Sequence, residues 1–223
     1  MKFSKLILIS FIAFVITYCV GAQRTVMLNH FPEYGKVEKS VLEKRADMIF
    51  LADIKKSYSS MREASEDLVS AGWYYYYQKD IERAMFRFNQ GWLCDSTYSM
   101  PYWGFAVVEA TKGKFESANH YFNKSHSLGN EHNSFFRDWS EMFLVLRRQT
   151  DSVKYAIKAD SVVNYGLAID SLNSRLNIQK AWANYYIGNL SLANKSYDIA
   201  IASDSSIKEK ELKMLIQLSK NED

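Results

Sequence analysis

Proline is almost missing from this sequence, 2 in 223 residues, and glycine is sparse at 9. A many-turned β-sandwich needs more turn formers than that, so the composition favours long helices. Cysteine is equally scarce. Cys19 lies in the apolar N-terminal stretch and Cys94 stands alone after it, so no internal disulfide can staple a chain that has lost its leader. Neither sign of charge dominates: 28 Lys and Arg against 25 Asp and Glu give +3, and losing Lys2 and Lys5 with a leader leaves +1. That balance argues against a nucleic-acid partner held by bulk basic charge. Apolar and aromatic side chains are plentiful, at 48% and 15%, which is the composition of a folded chain.

Catalytic patterns are lacking too. No Gly-rich phosphate loop, Gly-x-Ser-x-Gly elbow or Cys-x-x-Cys pair occurs. Cys94 has no histidine near it in sequence and reads as a small buried hydrophobe. His120, His126 and His132 recur every six residues, which is not a helical face, so they read as solvated helix-end residues rather than a metal site. Asp138 and Glu141 sit three apart, but Arg137 and Arg147-Arg148 nearby point to surface ion pairs. The Asp-Ser steps at 95, 151, 160 and 170 read as caps and turns. The expectation is a chain without catalysis, cofactor or metal.

Residues 1–22 have the layout of a secretory signal: Lys2 and Lys5, then an apolar run of 13 from Leu6 to Tyr18, then Val20-Gly21-Ala22. Cleavage after Ala22 would make Gln23 the new terminus and place the protein in the periplasm or cell envelope, or outside the cell. The alternative is a retained leader, although 13 residues are short beside the ~20 of a membrane span. Membrane contact is expected only through that leader.

The rest of the chain repeats itself. Ala84 and Ala118 are 34 residues apart, as are Phe88 and Phe122, Ile81 and Phe115, and Gly91 and Ser125. Another copy runs through Gly188-Asn189-Leu190, Ala193, Tyr197 and Ala200, and an aromatic-rich helical segment precedes each copy, at 66–78, 100–111 and 175–187. Small residues at this spacing suit close helix crossings, with an aromatic filling the gap beside each.

The pattern resembles the tetratricopeptide repeat, with its Trp-x2-Leu-Gly-x2-Tyr and Ala-x3-Phe signature. The first copy offers Leu68, Ala71, Gly72, Tyr75, Ala84, Phe88 and Gly91. The second offers Tyr102, Phe105, Ala106, Ala118, Phe122 and Ser125, and the last Ala181, Ala193, Tyr197 and Ala200. The repeat-ending proline is absent, Glu109 and Asn184 stand at the Tyr position, and Lys180 at the Leu. Between Ala118 and Ala193 lie two periods plus seven residues, which fits a degenerate copy with Ala159, Val163 and Gly166 in its second helix. The segment from Gly72-Trp73 to Tyr102-Trp103-Gly104-Phe105 looks like a group of exported bacterial proteins of this family with no assigned activity.

The resemblance implies an all-α fold, an α-solenoid of about four helix pairs with a capping helix at each end. The expected layout is a signal peptide at 1–22, an extended arm and N-terminal capping helix at 23–64, and repeats over 65–206 (about 65–98, 99–132, 133–173 and 174–206). A capping helix at 207–223 closes the array. Ser40 to Tyr58 reads as the first cap, with Val41, Leu42, Met48, Ile49, Leu51 and Ile54 as its apolar set. Ser60-x-x-Glu63 reads as a capping box. Leu212, Leu215, Ile216 and Leu218 form the last cap's stripe.

In that family the first helix of each repeat lines a concave groove that holds a peptide or partner helix. The groove positions carried over are Val69, Trp73, Tyr76 and Tyr77; Trp103, Val107 and Thr111; and Ile178, Trp182, Tyr185 and Tyr186. The Lys, Arg and Asn set that clamps a C-terminal carboxylate is absent, and the groove is aromatic instead. Tyr and Trp are favoured at binding hot spots, so a protein or peptide partner is expected. Three alternatives stay open: self-association of a structural subunit through the aromatic face, stacking of a small molecule or glycan on it, and filling of the groove by the arm 23–37.

Overall fold

The computed structural model describes residues 28–219, so the signal-peptide reading of 1–22 lies outside them. They contain ten α-helices and no strand: α1 Val41–Ser57, α2 Met61–Tyr77, α3 Ile81–Cys94, α4 Ser99–Thr111, α5 Phe115–Ser127, α6 Asn133–Thr150, α7 Val153–Ile169, α8 Ser174–Ile187, α9 Leu190–Ser203 and α10 Lys210–Ser219. Among the described residues no helix is long and apolar enough to cross a membrane. The chain divides into two compact units, with described residues 28–108 and 109–219, the division falling inside α4.

Helix starts follow the capping rules. Ser40 and Glu43 form a full capping box on α1: the Ser40 side chain accepts from the Glu43 amide, and Glu43 accepts from the Ser40 amide at 2.6 Å. The box expected at Ser60 is only half made. Ser60 accepts from the Glu63 amide, but the Glu63 carboxylate accepts from the Ser59 amide and hydroxyl instead. Asp80, Asn173 and Asn189 cap α3, α8 and α9 through their side chains.

In the first unit, α2 and α3 pair around Phe88. Its ring lies so close to α2 and α4 that a Cβ at either Gly72 or Gly104 would come within 2.5 Å of it. A Cβ at Gly91 would meet Val69 at 3.0 Å, and the Ser65 hydroxyl donates to the Gly91 carbonyl across the same crossing at 2.8 Å. Ala84 and Phe88 are fully buried.

The second unit repeats the device. Ala118, Ala159 and Ala193 are fully buried, and a Cβ at Gly166 would lie 2.5 Å from Leu176. The long helices α6 and α7 meet at Asp151, which closes α6 in the left-handed region and is paired with Arg147. Two of the residues that depart from the repeat signature make polar links instead. Asn184 donates to Asp160 at 2.6 Å and Lys180 to Asn164 at 2.6 Å, tying α8 to α7. Leu212 and Ile216 of α10 close on Ala181 and Ala193, whereas Leu218 is exposed.

Three readings need correction. The Asp160-Ser161 step is mid-helix rather than a turn, with the Ser161 hydroxyl donating to the Ile157 carbonyl. His126 is not a solvated helix end; its ring lies 4.9 Å from Tyr165 and 5.6 Å from Phe136. On α1 only Phe50 and Ile54 pack toward Ala64 and Leu68, so most of the apolar set expected to cap the array faces water.

Candidate functional site

Each unit carries its own aromatic set. In the first, α2 presents Trp73, Tyr76 and Tyr77 on adjoining turns. The Trp73 ring stacks on Tyr77 at 6.2 Å, meets Tyr76 edge-on at 5.8 Å, and lies 4.7 Å from Trp103 and 5.3 Å from Phe88. This chain of rings runs from core to solvent: Phe88 is buried, Trp103 is 6% exposed, Trp73 and Tyr76 are half-buried, and Tyr77 is 71% exposed. Tyr74, which the groove positions did not include, is also exposed. It lies next to the expected set, but nothing in the repeat signature distinguishes it.

In the second unit Trp182, Tyr185 and Tyr186 make a closed triangle, with Trp182 stacked on Tyr186 at 5.6 Å. The Arg147 guanidinium lies 4.8 Å from the centre of the Tyr186 ring. All three aromatics are half-buried, and Trp182 and Tyr185 pack against the core that α10 closes.

Four expected groove residues are not available as contact surface. Val69, Trp103, Val107 and Ile178 are buried. The packing explains two of them: Val69 lies against Gly91 at the α2–α3 crossing, and the Trp103 ring is covered by Trp73. The other positions divide between Tyr77 and Thr111, which are exposed, and Trp73, Tyr76, Trp182, Tyr185 and Tyr186, which are half-buried.

The arm takes a different course from the one that would fill this face. Asn89 of α3 holds it, donating to the carbonyls of Asn29 at 3.2 Å and Phe31 at 2.9 Å and accepting from the Tyr34 amide at 3.4 Å. Tyr34 is buried, its ring edge-on to Trp92 at 6.3 Å, with Lys39 Nζ 3.5 Å from the ring centre. The described arm residues therefore lie along the second helix of the first pair. Sequence alone could not place Asn89, because its partners lie 55 to 60 residues away.

Among the described residues no three His, Cys, Asp or Glu side chains gather to hold a metal. His132 caps α6, its Nδ1 accepting from the Ser134 amide at 3.1 Å. Asp138 pairs with Arg137 at 3.0 Å and Glu141 with Arg148 at 2.6 Å. Burial, reinforced by the Asp95 carboxylate, pushes the Cys94 thiol up to about 11, away from the thiolate that a nucleophile needs. A cavity of about 170 Å³ lies between the arm, α1 and α3, but its Lys39 and Asp47 satisfy each other at 2.5 Å.

No family model and no curated protein matches the sequence. Solved structures do match the fold. PilF of Pseudomonas aeruginosa is 12% identical, with 71% of this chain and 68% of that one covered and a TM-score of 0.61. The TPR protein TTC0263 of Thermus thermophilus is 16% identical over 64% and 75% of the two chains, with a TM-score of 0.55. MamA of Desulfovibrio magneticus is 14% identical over 66% and 80%, also at 0.55. These neighbours are all built from tetratricopeptide repeats. With its helices packed in adjacent pairs and small residues at the crossings, the chain shares the all-α solenoid fold of these tetratricopeptide-repeat structures.

Proposed function

We propose that this protein is an exported interaction module without catalytic activity. It would hold a peptide segment or partner helix against its aromatic faces, Trp73–Tyr76–Tyr77 in the first unit and Trp182–Tyr185–Tyr186 in the second. The observation that carries this reading is the solvent-facing end of the ring chain. Tyr77 leaves 71% of its surface to water while stacking on a half-buried Trp73. A monomer gains little by holding so large an apolar ring outside, whereas a partner would bury it at low entropy cost. The course of the described arm along α3 supports the same reading, since it leaves Tyr77 uncovered.

Affinity capture from an envelope extract tests the proposal, comparing the wild type with Tyr76→Ala/Tyr77→Ala and with Tyr185→Ala/Tyr186→Ala. Each variant must first show a wild-type melt. A protein retained by the wild type and lost by either variant is the expected result. Identical catches would overturn the aromatic-face reading. Self-association through the same face would appear instead as sedimentation that depends on concentration in the wild type alone. Export is checked separately, by finding Gln23 at the N-terminus of the protein recovered from the envelope fraction.

A further inference from the structure

The outer face of α1 is an apolar feature that the fold leaves unexplained. Val41, Leu42, Met48 and Ile49 are each between 55% and 82% exposed, on a helix of 17 residues whose opposite side is well anchored. Phe50 and Ile54 face Ala64 and Leu68, Glu43 is held by the Ser40 amide, and Asp47 by Lys39.

At about 100° per residue, the four exposed apolar side chains share an arc of about 160° with Ala52 and with all four cations of the helix. These are Lys44, Arg45, Lys55 and Lys56, every one exposed. The carboxylates fall outside that arc: Glu43 and Asp47 point inward, and Asp53 sits at its edge, 3.0 Å from Lys56. Lys44 lies 3.4 Å from Glu38. Arg45 and Lys55 pair with no carboxylate among the described residues.

We infer that α1 docks flat on an anionic lipid surface. The pattern matches that surface. Apolar side chains mixed with cations on one helix face suit the boundary between headgroups and acyl chains, where Lys and Arg extend to phosphate while the apolar tips sink below it. A protein partner fits worse, because interface cores are depleted in Lys. A second copy meeting this face would set four cations against four. The proposal uses none of the residues of the aromatic sets and does not depend on them.

The full chain is tested by flotation with vesicles of phosphatidylcholine, alone or with about one third phosphatidylglycerol. The expected result is partitioning about tenfold stronger on the anionic vesicles, falling away in about 0.5 M salt. Met48→Glu/Ile49→Glu and Arg45→Gln/Lys55→Gln should each remove that preference with an unchanged melt, since all four side chains are exposed. Residues 1–22 are present in every variant, so any binding of their own cancels in the comparison.

A solvent-sensitive fluorophore on Met48→Cys, in a Cys19→Ser/Cys94→Ala background, should shift to the blue on anionic vesicles. The same probe on Glu82→Cys of α3 should not. Variants that float like the wild type, or a silent probe at position 48, would overturn the proposal. So would a wild-type dimer dissolved by Met48→Glu/Ile49→Glu in the absence of lipid, which would assign the face to a second copy.

Discussion

Single residues set the spacing of the helices here. Phe88 fills the space that Gly72 and Gly104 leave, and neither glycine can gain a methyl group without moving the ring. Gly104→Ala should therefore destabilise the protein by ~1–3 kcal/mol in urea denaturation, the usual scale for overpacking. Adding Phe88→Leu should recover part of that loss, so a double-mutant cycle should be clearly non-additive. The thiol makes a second case. With its ordinary value of 9.0 raised to about 11, Cys94 keeps its proton in the folded state well beyond neutrality. Its contribution is intact below the unfolded value and fades as pH rises toward the folded one. A thiol reagent at pH 8 should react with the native protein at least about tenfold more slowly than with the urea-unfolded chain.

Elements are joined by contacts that no local pattern announces. The arm enters through a tight turn in which Glu33, Tyr34 and Lys36 all adopt the left-handed region. Such backbone is costly for residues with a Cβ, and it persists because Tyr34 is buried against Trp92 and Asn89 binds three arm backbone groups. Asn89→Ala should cost ~1–3 kcal/mol and raise amide exchange across residues 28–36, with little change in α2. Asp95 plays the matching part at the end of α3. Burial opposes its ionisation, but hydrogen bonds from Thr97 and the Arg62 guanidinium at 2.6 Å outweigh this and hold the carboxyl below its usual value. Its stabilisation is complete above about pH 4 and is lost as pH falls through the lower folded value. Asp95→Asn should lower the melting temperature at pH 7 and flatten the acid limb of the melting profile.

At the scale of the whole molecule, each unit closes an apolar core of its own, and Cys94 is the only free thiol described. Packing at the terminal helix then matters more than it would in a stapled fold. Ile216 is fully buried against Ala181 and Ala193. Ile216→Asp should cost more than about 3 kcal/mol and expose α8 and α9 to amide exchange, because an unpaired carboxylate would sit inside that core. Met214→Asp, on the exposed side of the same helix, should leave the melt unchanged.

Sequence alone determined that this protein is built of helix pairs with small residues at their crossings. Those signals are local: a period of 34 carries Ala84 to Ala118 and Phe88 to Phe122, and a residue without bulk is needed wherever two helices touch. Only the tertiary structure decided which aromatics meet water. Trp73, Tyr77 and Trp103 read alike in sequence, yet their exposure depends on how closely the helices beside them approach. The same holds for the arm, drawn onto α3 by an asparagine far away in the chain. It holds too for α1, where apolar residues lie on both sides and periodicity cannot say which side the protein covers. Burial is a property of what packs over a residue, and that is settled in space.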